Sequence, residues 1–279
     1  AAFVIPSSEG LILIESGPYS TFASMKEGLA RLGYAVEDVK HLLLTHIHFD
    51  HAGAAWAFAK AGTKVYLHPF GERHMQDPSK LVASATMIYG DQMDTLWGDM
   101  QNIELENLRI VSHQEQLHFG DVSLKALHTP GHAKHHIAWK YQDCIFTGDV
   151  AGVKIEGGPV VPPCPPPDIN LENWKASIQL LKDENPKELV LTHFGAIAAV
   201  NEHLEALEAI LNDWSLWIKE KWEAGLSNED ITPLFMEYTN QQLSSRGVST
   251  HGLKQYEAAN PAWMSVAGLV RYWKKKMQE

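Results

Sequence analysis

The sequence predicts an α/β protein, with packed layers of sheet and helix over residues 1–195 and a helical extension over 196–279. Three observations lead there. Short apolar, β-branched runs alternate with helical stretches through the first 195 residues, the pattern of sheet layered on helix. Strand-like runs then stop, and Leu204, Leu207, Leu211, Trp214 and Ile218 recur at the three-and-four spacing of an amphipathic helix. The 279 residues are 45% hydrophobic and 20% charged, the make-up of a globular chain with material for a large core.

Taken in order, the predicted strands are residues 3–5, 11–14, 41–45, 64–67, 108–111, 122–127, 136–141, 144–147 and 188–192, each a short apolar or alternating run. Helices are expected at 21–32, closed by Gly33, at 53–60, closed by Gly62, and across parts of 71–87. A fourth covers 171–182 behind an Asn170 or Asp168 cap. Between 157 and 167, five prolines in the last six positions preclude a helix or central strand. The stretch 159–167 therefore reads as a stiff extended loop, a wall or rim rather than a docking peptide. In the extension, Ser227-Asn228-Glu229-Asp230 has the form of a capping box, and Asn260-Pro261 offers a cap and an N1 proline before a last helix. Six of the nine tryptophans lie at or beyond Trp174, where they cement helices more readily than they line a pocket. An exposed tryptophan face there would mark a homodimer.

Charge and cysteine content narrow the classes of function. With 34 acidic and 23 basic side chains the net charge is −11, a poor field for phosphate backbones or anionic lipid, so neither nucleic acid nor a membrane is the expected partner. Cys144 and Cys164 make no disulfide framework and no CxxC pair, which fits a reducing compartment. No apolar run nears the ~20 residues that span a bilayer, and no export signal is visible, so a cytoplasmic location is expected. The fifteen histidines are the unusual count, histidine being the commonest metal ligand.

Their placement carries chemistry. In Thr45-His46-Ile47-His48-Phe49-Asp50-His51, four potential ligands fall within six positions after the apolar run 41–44. His46 and His48 stand two apart, so an extended backbone turns both to one side, while Asp50 and His51 follow where the chain turns into a helix. Three further pieces end predicted strands: Thr129-Pro130-Gly131-His132, Thr147-Gly148-Asp149 and Thr192-His193. Singly each is weak; four in this order are specific. His135 and His136 read as neighbours rather than ligands, and His68 as a residue at the same sheet edge.

These motifs resemble those of the metallo-β-lactamase superfamily, and the resemblance covers about residues 1–195. It implies an αββα four-layer sandwich with a metal site at one edge of two sheets. It implies that His46, His48 and His132 bind a first metal, that Asp50, His51 and His193 bind a second, and that Asp149 bridges them. Imidazole and carboxylate donors suit zinc, with iron or manganese compatible. The activity implied is hydrolysis of a small-molecule thioester, lactone or ester by a hydroxide held between two zinc ions, with Asp50 moving the proton to the leaving group. A mononuclear iron oxidoreductase similar to the persulfide dioxygenases is the alternative. Within the superfamily, histidine at position 48 departs from the glutamate typical of the diiron flavoproteins. The segment is similar to that of the glyoxalase II branch, without that branch's glutathione-binding residues. Gly152 stands where the homoserine-lactone lactonases usually carry a tyrosine.

Overall fold

Ser7 and Gly10 pair across a two-residue turn that joins β1 (Phe3–Ser7) to β2 (Gly10–Ile14), and the buried run Leu11–Ile14 continues the sheet inward. A computed structural model describes residues 1–155 and 157–278. The chain is a mixed α/β protein, with two sheets among the described residues, and it divides into two compact units. The first comprises Ala1–His128 with His135–Gln142, the second Thr129–Lys134 with Asp143–Glu279.

In the first unit β3 (Val39–Leu43), β4 (Lys64–Leu67) and β5 (Leu108–Ile110) join β2 in parallel, giving a five-stranded sheet in the order β1-β2-β3-β4-β5. Parallel strands need crossovers, which the helices supply. These are α1 (Phe22–Arg31), α2 (Phe49–Ala52), α3 (Ala55–Lys60), α4 (Pro69–Gln76), α5 (Ser79–Tyr89) and α6 (Met93–Leu96). Leu13, Leu42, Leu44, Ile47, Phe58 and Val65 form the centre of its core. An antiparallel meander follows: β6 (Gln116–Phe119), β7 (Val122–His128) and β8 (Ile137–Tyr141).

The second unit holds β9 (Cys144–Gly148), parallel to β10 (Glu188–Leu191), which pairs antiparallel with β11 (Gly195–Ile197). Helix α7 (Leu171–Asp183) crosses between β9 and β10, capped by the Asn170 side chain. Beyond residue 200 the structure is helical, through α8 (Val200–Glu223), α9 (Asn228–Ser245), α10 (Thr250–Ala259) and α11 (Ala262–Lys276). Ser227 and Asp230 form the expected capping box. Tryptophans join these helices: Trp214 meets Phe235 edge-on, Trp217 stacks on Tyr238, and Trp273 Nε1 donates to Ser215 O. Of the six, only Trp263 is exposed, at 37%. No helix among the described residues is long and apolar enough to cross a membrane.

The structure departs from the sequence reading in several places, helix α6 among them, which lies outside every predicted helix. The helix expected at 53–60 begins at Ala55 as α3, and the separate turn α2 precedes it, with Gly53-Ala54 between them. Strands β6 and β11 were not expected: β6 carries only two buried residues in four, and β11 is three residues long with no buried one. Helix α10 buries only Gly252 and Tyr256, so its apolar pattern is faint although Ser249 caps it. Asn260 does not cap the last helix. It ends α10, buried, with Nδ2 donating to Pro162 O and Oδ1 accepting from Ser265 Oγ, and Pro261 takes the cap position.

Candidate metal centre

Each unit gathers part of the expected ligand set. In the first, β3 ends at Leu43 and releases Leu44–His48 as an extended segment whose start is held by β8: Ile137 N donates to Thr45 O and Trp139 Nε1 to Leu44 O. His48 then serves as the cap residue of α2, the turn that carries Asp50 and His51. His46 Nε2 and His48 Nδ1 stand 2.9 Å apart, and His51 Nε2 lies 3.3 Å from Asp50 Oδ2. His46 and His51 are buried, whereas the Asp50 carboxylate remains 34% exposed.

A residue the sequence reading missed organises this half. Glu15 follows the buried run of β2, has no exposed surface, and adopts a φ of 66°. Its carboxylate accepts from Thr45 N at 3.2 Å, from Thr45 Oγ1, and from His51 Nδ1 at 2.8 Å. A carboxylate only accepts, so Nδ1 of His51 carries the proton and Nε2 presents its lone pair. Thr45 Oγ1 spends its proton on Glu15, so at 3.0 Å it accepts from His46 Nδ1, which again puts the lone pair on Nε2. One buried carboxylate thus sets the tautomer of two histidines, the usual work of a group behind metal ligands. The signal was there in outline: a glutamate directly after an unbroken apolar run, at a strand end.

His135 and His136 are buried, with rings 6.1 and 5.1 Å from that of His46, and they pack as neighbours. His68 caps α4 by accepting from Phe70 N at 3.1 Å; burial, then His128, lower its pKa to about 4, so it is neutral at neutral pH. Burial and then the charge of Asp50 push the Tyr89 phenol up to about 12.

In the second unit Asp149 follows β9 and faces two histidines at once. Its Oδ2 is 3.4 Å from His132 Nε2 and its Oδ1 is 3.5 Å from His193 Nε2. Two donors on one tetrahedral zinc, with bonds of about 2.0–2.1 Å, stand roughly 3.4 Å apart, so both pairs have the spacing of ligands sharing an ion. His132 Nδ1 donates to Pro163 O at 2.9 Å, which puts the lone pair on Nε2 as for His46 and His51. The donor set therefore fits divalent metal: neutral imidazole nitrogens, oriented from behind, beside carboxylate oxygens.

The surroundings fix these groups. Gly131 has φ +140°, and a Cβ there would lie 2.3 Å from Trp174 Cα, so only glycine lets the turn carrying His132 rest on α7. Trp174 Nε1 donates to Val150 O and His203 Nε2 to Ala151 O, clamping the loop after Asp149. Gly152 closes that loop, and a Cβ would come within 2.9 Å of Val160, Val161 O and Leu207, so no tyrosine fits there without displacing the proline-rich segment. That segment is a structural bracket. Val161 bridges to Val153, Pro163 O orients His132, and the carbonyls of Pro159, Pro162 and Pro167 accept from Tyr256, Asn260 and Arg271 of the C-terminal region.

Comparison with known proteins agrees with the motifs. A family model described as the metallo-β-lactamase superfamily matches residues 1–193. A metallo-β-lactamase fold-containing protein of Sulfurisphaera tokodaii is 28% identical over 183 residues, 62% of this chain and 67% of that protein. A probable metallo-hydrolase of Methanocaldococcus jannaschii is 26% identical over 139 residues, 50% of this chain, and the match spans 61% of its length. The crystal structure of a metallo-β-lactamase family protein from Thermus thermophilus superposes with a TM-score of 0.66 at 20% identity, covering 99% of this chain and 88% of that one.

Proposed function

The chain belongs to the metallo-β-lactamase superfamily, and from that premise we propose that it is a dinuclear zinc hydrolase acting on the carbonyl of a small thioester, lactone or ester. In this reading His46, His48 and His132 hold one ion, Asp50, His51 and His193 the other, and Asp149 bridges them. The observation that carries it is Asp149 turning one carboxylate oxygen to His132 and the other to His193. A carboxylate serving one ion needs no second imidazole opposite its other oxygen.

When bound, the two ions supply hydroxide near neutral pH and polarise the substrate carbonyl. The chain's own groups do the rest. Glu15 and Thr45 hold His51 and His46 as Nδ1–H tautomers, and Pro163 does so for His132, so the basic nitrogens are in place before substrate arrives. The Asp50 carboxylate is 34% exposed, against 7% for Asp149 and none for Glu15. Asp50 is thus the group able to pass a proton to the leaving oxygen, sulfur or nitrogen.

A panel of thioesters, lactones, esters and β-lactams, assayed with zinc-loaded protein, tests this. Turnover of at least one of the first three classes is expected, with kcat/KM of about 10⁴ M⁻¹s⁻¹ or more for the best substrate. No turnover across the panel, together with oxygen uptake on a persulfide by iron-loaded protein, would establish the iron oxidoreductase instead.

A further inference from the structure

The segment between β4 and β5 carries α4, α5 and α6, and on it Phe70, Met87, Ile88 and Leu96 are exposed, Met87 at 83%. Two aromatic residues follow them directly in the chain, Tyr89 after Ile88 and Trp97 after Leu96, and Phe49 completes a cluster of three rings. Trp97 meets Tyr89 edge-on at 5.2 Å between centroids and Phe49 at 5.9 Å. Phe49 is the residue before Asp50 in α2, so the rings adjoin the first unit's share of the ligand set. The arrangement is pinned: Ser20 N donates to Trp97 O at 3.1 Å and Ser20 Oγ to Leu96 O at 2.7 Å. Within it the Trp97 indole nitrogen is buried and has no acceptor among the described residues. A buried donor left without a partner is costly, and at a functional site its missing partner is a ligand atom or an ordered water.

Resting on the hydrolase reading above, we propose that Tyr89 and Trp97 determine specificity by taking an apolar acyl group of the substrate against their rings, while the Trp97 N–H donates to a polar atom of that substrate. Charge agrees with the choice. The net charge of −11 does not favour an anionic substrate group, whereas an uncharged acyl chain loses nothing by it. Rigid aromatic walls also bind apolar groups at small entropic cost.

The test uses zinc-loaded full-length protein and p-nitrophenyl esters from acetyl to octanoyl. Wild-type kcat/KM is expected to rise with chain length, by up to about fourfold for each methylene the rings cover. Trp97→Ala should flatten that rise, so that octanoyl loses about tenfold more than acetyl. Trp97→Phe keeps a ring and lacks the donor, and should keep the slope while losing a common factor of about three to ten. Calorimetric titration with octanamide reads the same contact without turnover, and Trp97→Ala should weaken it by about tenfold. Wild-type protein that hydrolyses none of the esters, thioesters or lactones would fail the hydrolase reading, while octanamide binding would still decide this one. Equal losses at every chain length, or octanamide affinity unchanged in Trp97→Ala, would overturn it.

Discussion

Asp149→Ala is expected to strip metal from the protein and to lower kcat/KM by about a thousandfold or more while leaving the fold intact. The side chain lies at the end of β9, where the neighbouring groups have other anchors: Trp174 and His203 hold the following carbonyls, and Pro163 holds His132. What Asp149 supplies is charge. Its two oxygens stand opposite His132 and His193, so removing it takes a ligand from both proposed ions at once. Asp149→Asn, of nearly the same shape, should lose metal as well, because an amide is a far weaker donor to a divalent cation. Metal content after dialysis, read beside circular dichroism, checks both variants. Unchanged metal and rate would refute the bridging role.

Glu15→Ala should be the most damaging change among the residues that touch no substrate. It leaves Thr45 N–H, Thr45 Oγ–H and His51 Nδ1–H facing a cavity in a site with no exposed surface. Breaking a buried hydrogen-bonded set of this kind costs about 3–5 kcal/mol, or a fall in Tm of roughly 10 °C for a protein of this size. The effect reaches the metals. With the carboxylate gone, nothing fixes the tautomers of His46 and His51, one proposed ligand of each ion, and zinc affinity should drop by about 10- to 100-fold. Glu15→Gln keeps an acceptor and should be milder in both readouts. Thermal melts with and without zinc separate the two contributions: a larger loss in the zinc-loaded form is expected, and an equal loss in both forms would make Glu15 structural only.

The difference between these two residues also shows how much of the protein could be read from its sequence. Asp149 was legible because Thr147-Gly148-Asp149 follows a strand and belongs to a set of four strand-end motifs. Glu15 shows only in outline, as a carboxylate directly after an apolar run, because its meaning lies in partners 30 and 36 residues away. The same holds for Pro163, Trp174 and His203, whose roles come from contacts 31, 24 and 52 residues distant. Among the elements, the buried runs of β2, β3, β4 and β9 were plain from composition, as was the three-and-four repeat of α8. Strands with little to bury, β6 and β11, left no such trace. Asn260 misled because Asn-Pro is a good start signal, and a buried pair of hydrogen bonds to the proline-rich segment and Ser265 outweighed it. The stiffness of that segment was readable from its prolines, but its use as a bracket for His132 required the fold.

Elemental analysis of protein purified without added metal decides whether the site holds two zinc ions. About two zinc ions per chain are expected, both lost together in Asp149→Ala. One iron per chain, with oxygen uptake on a persulfide and no hydrolysis, would contradict it.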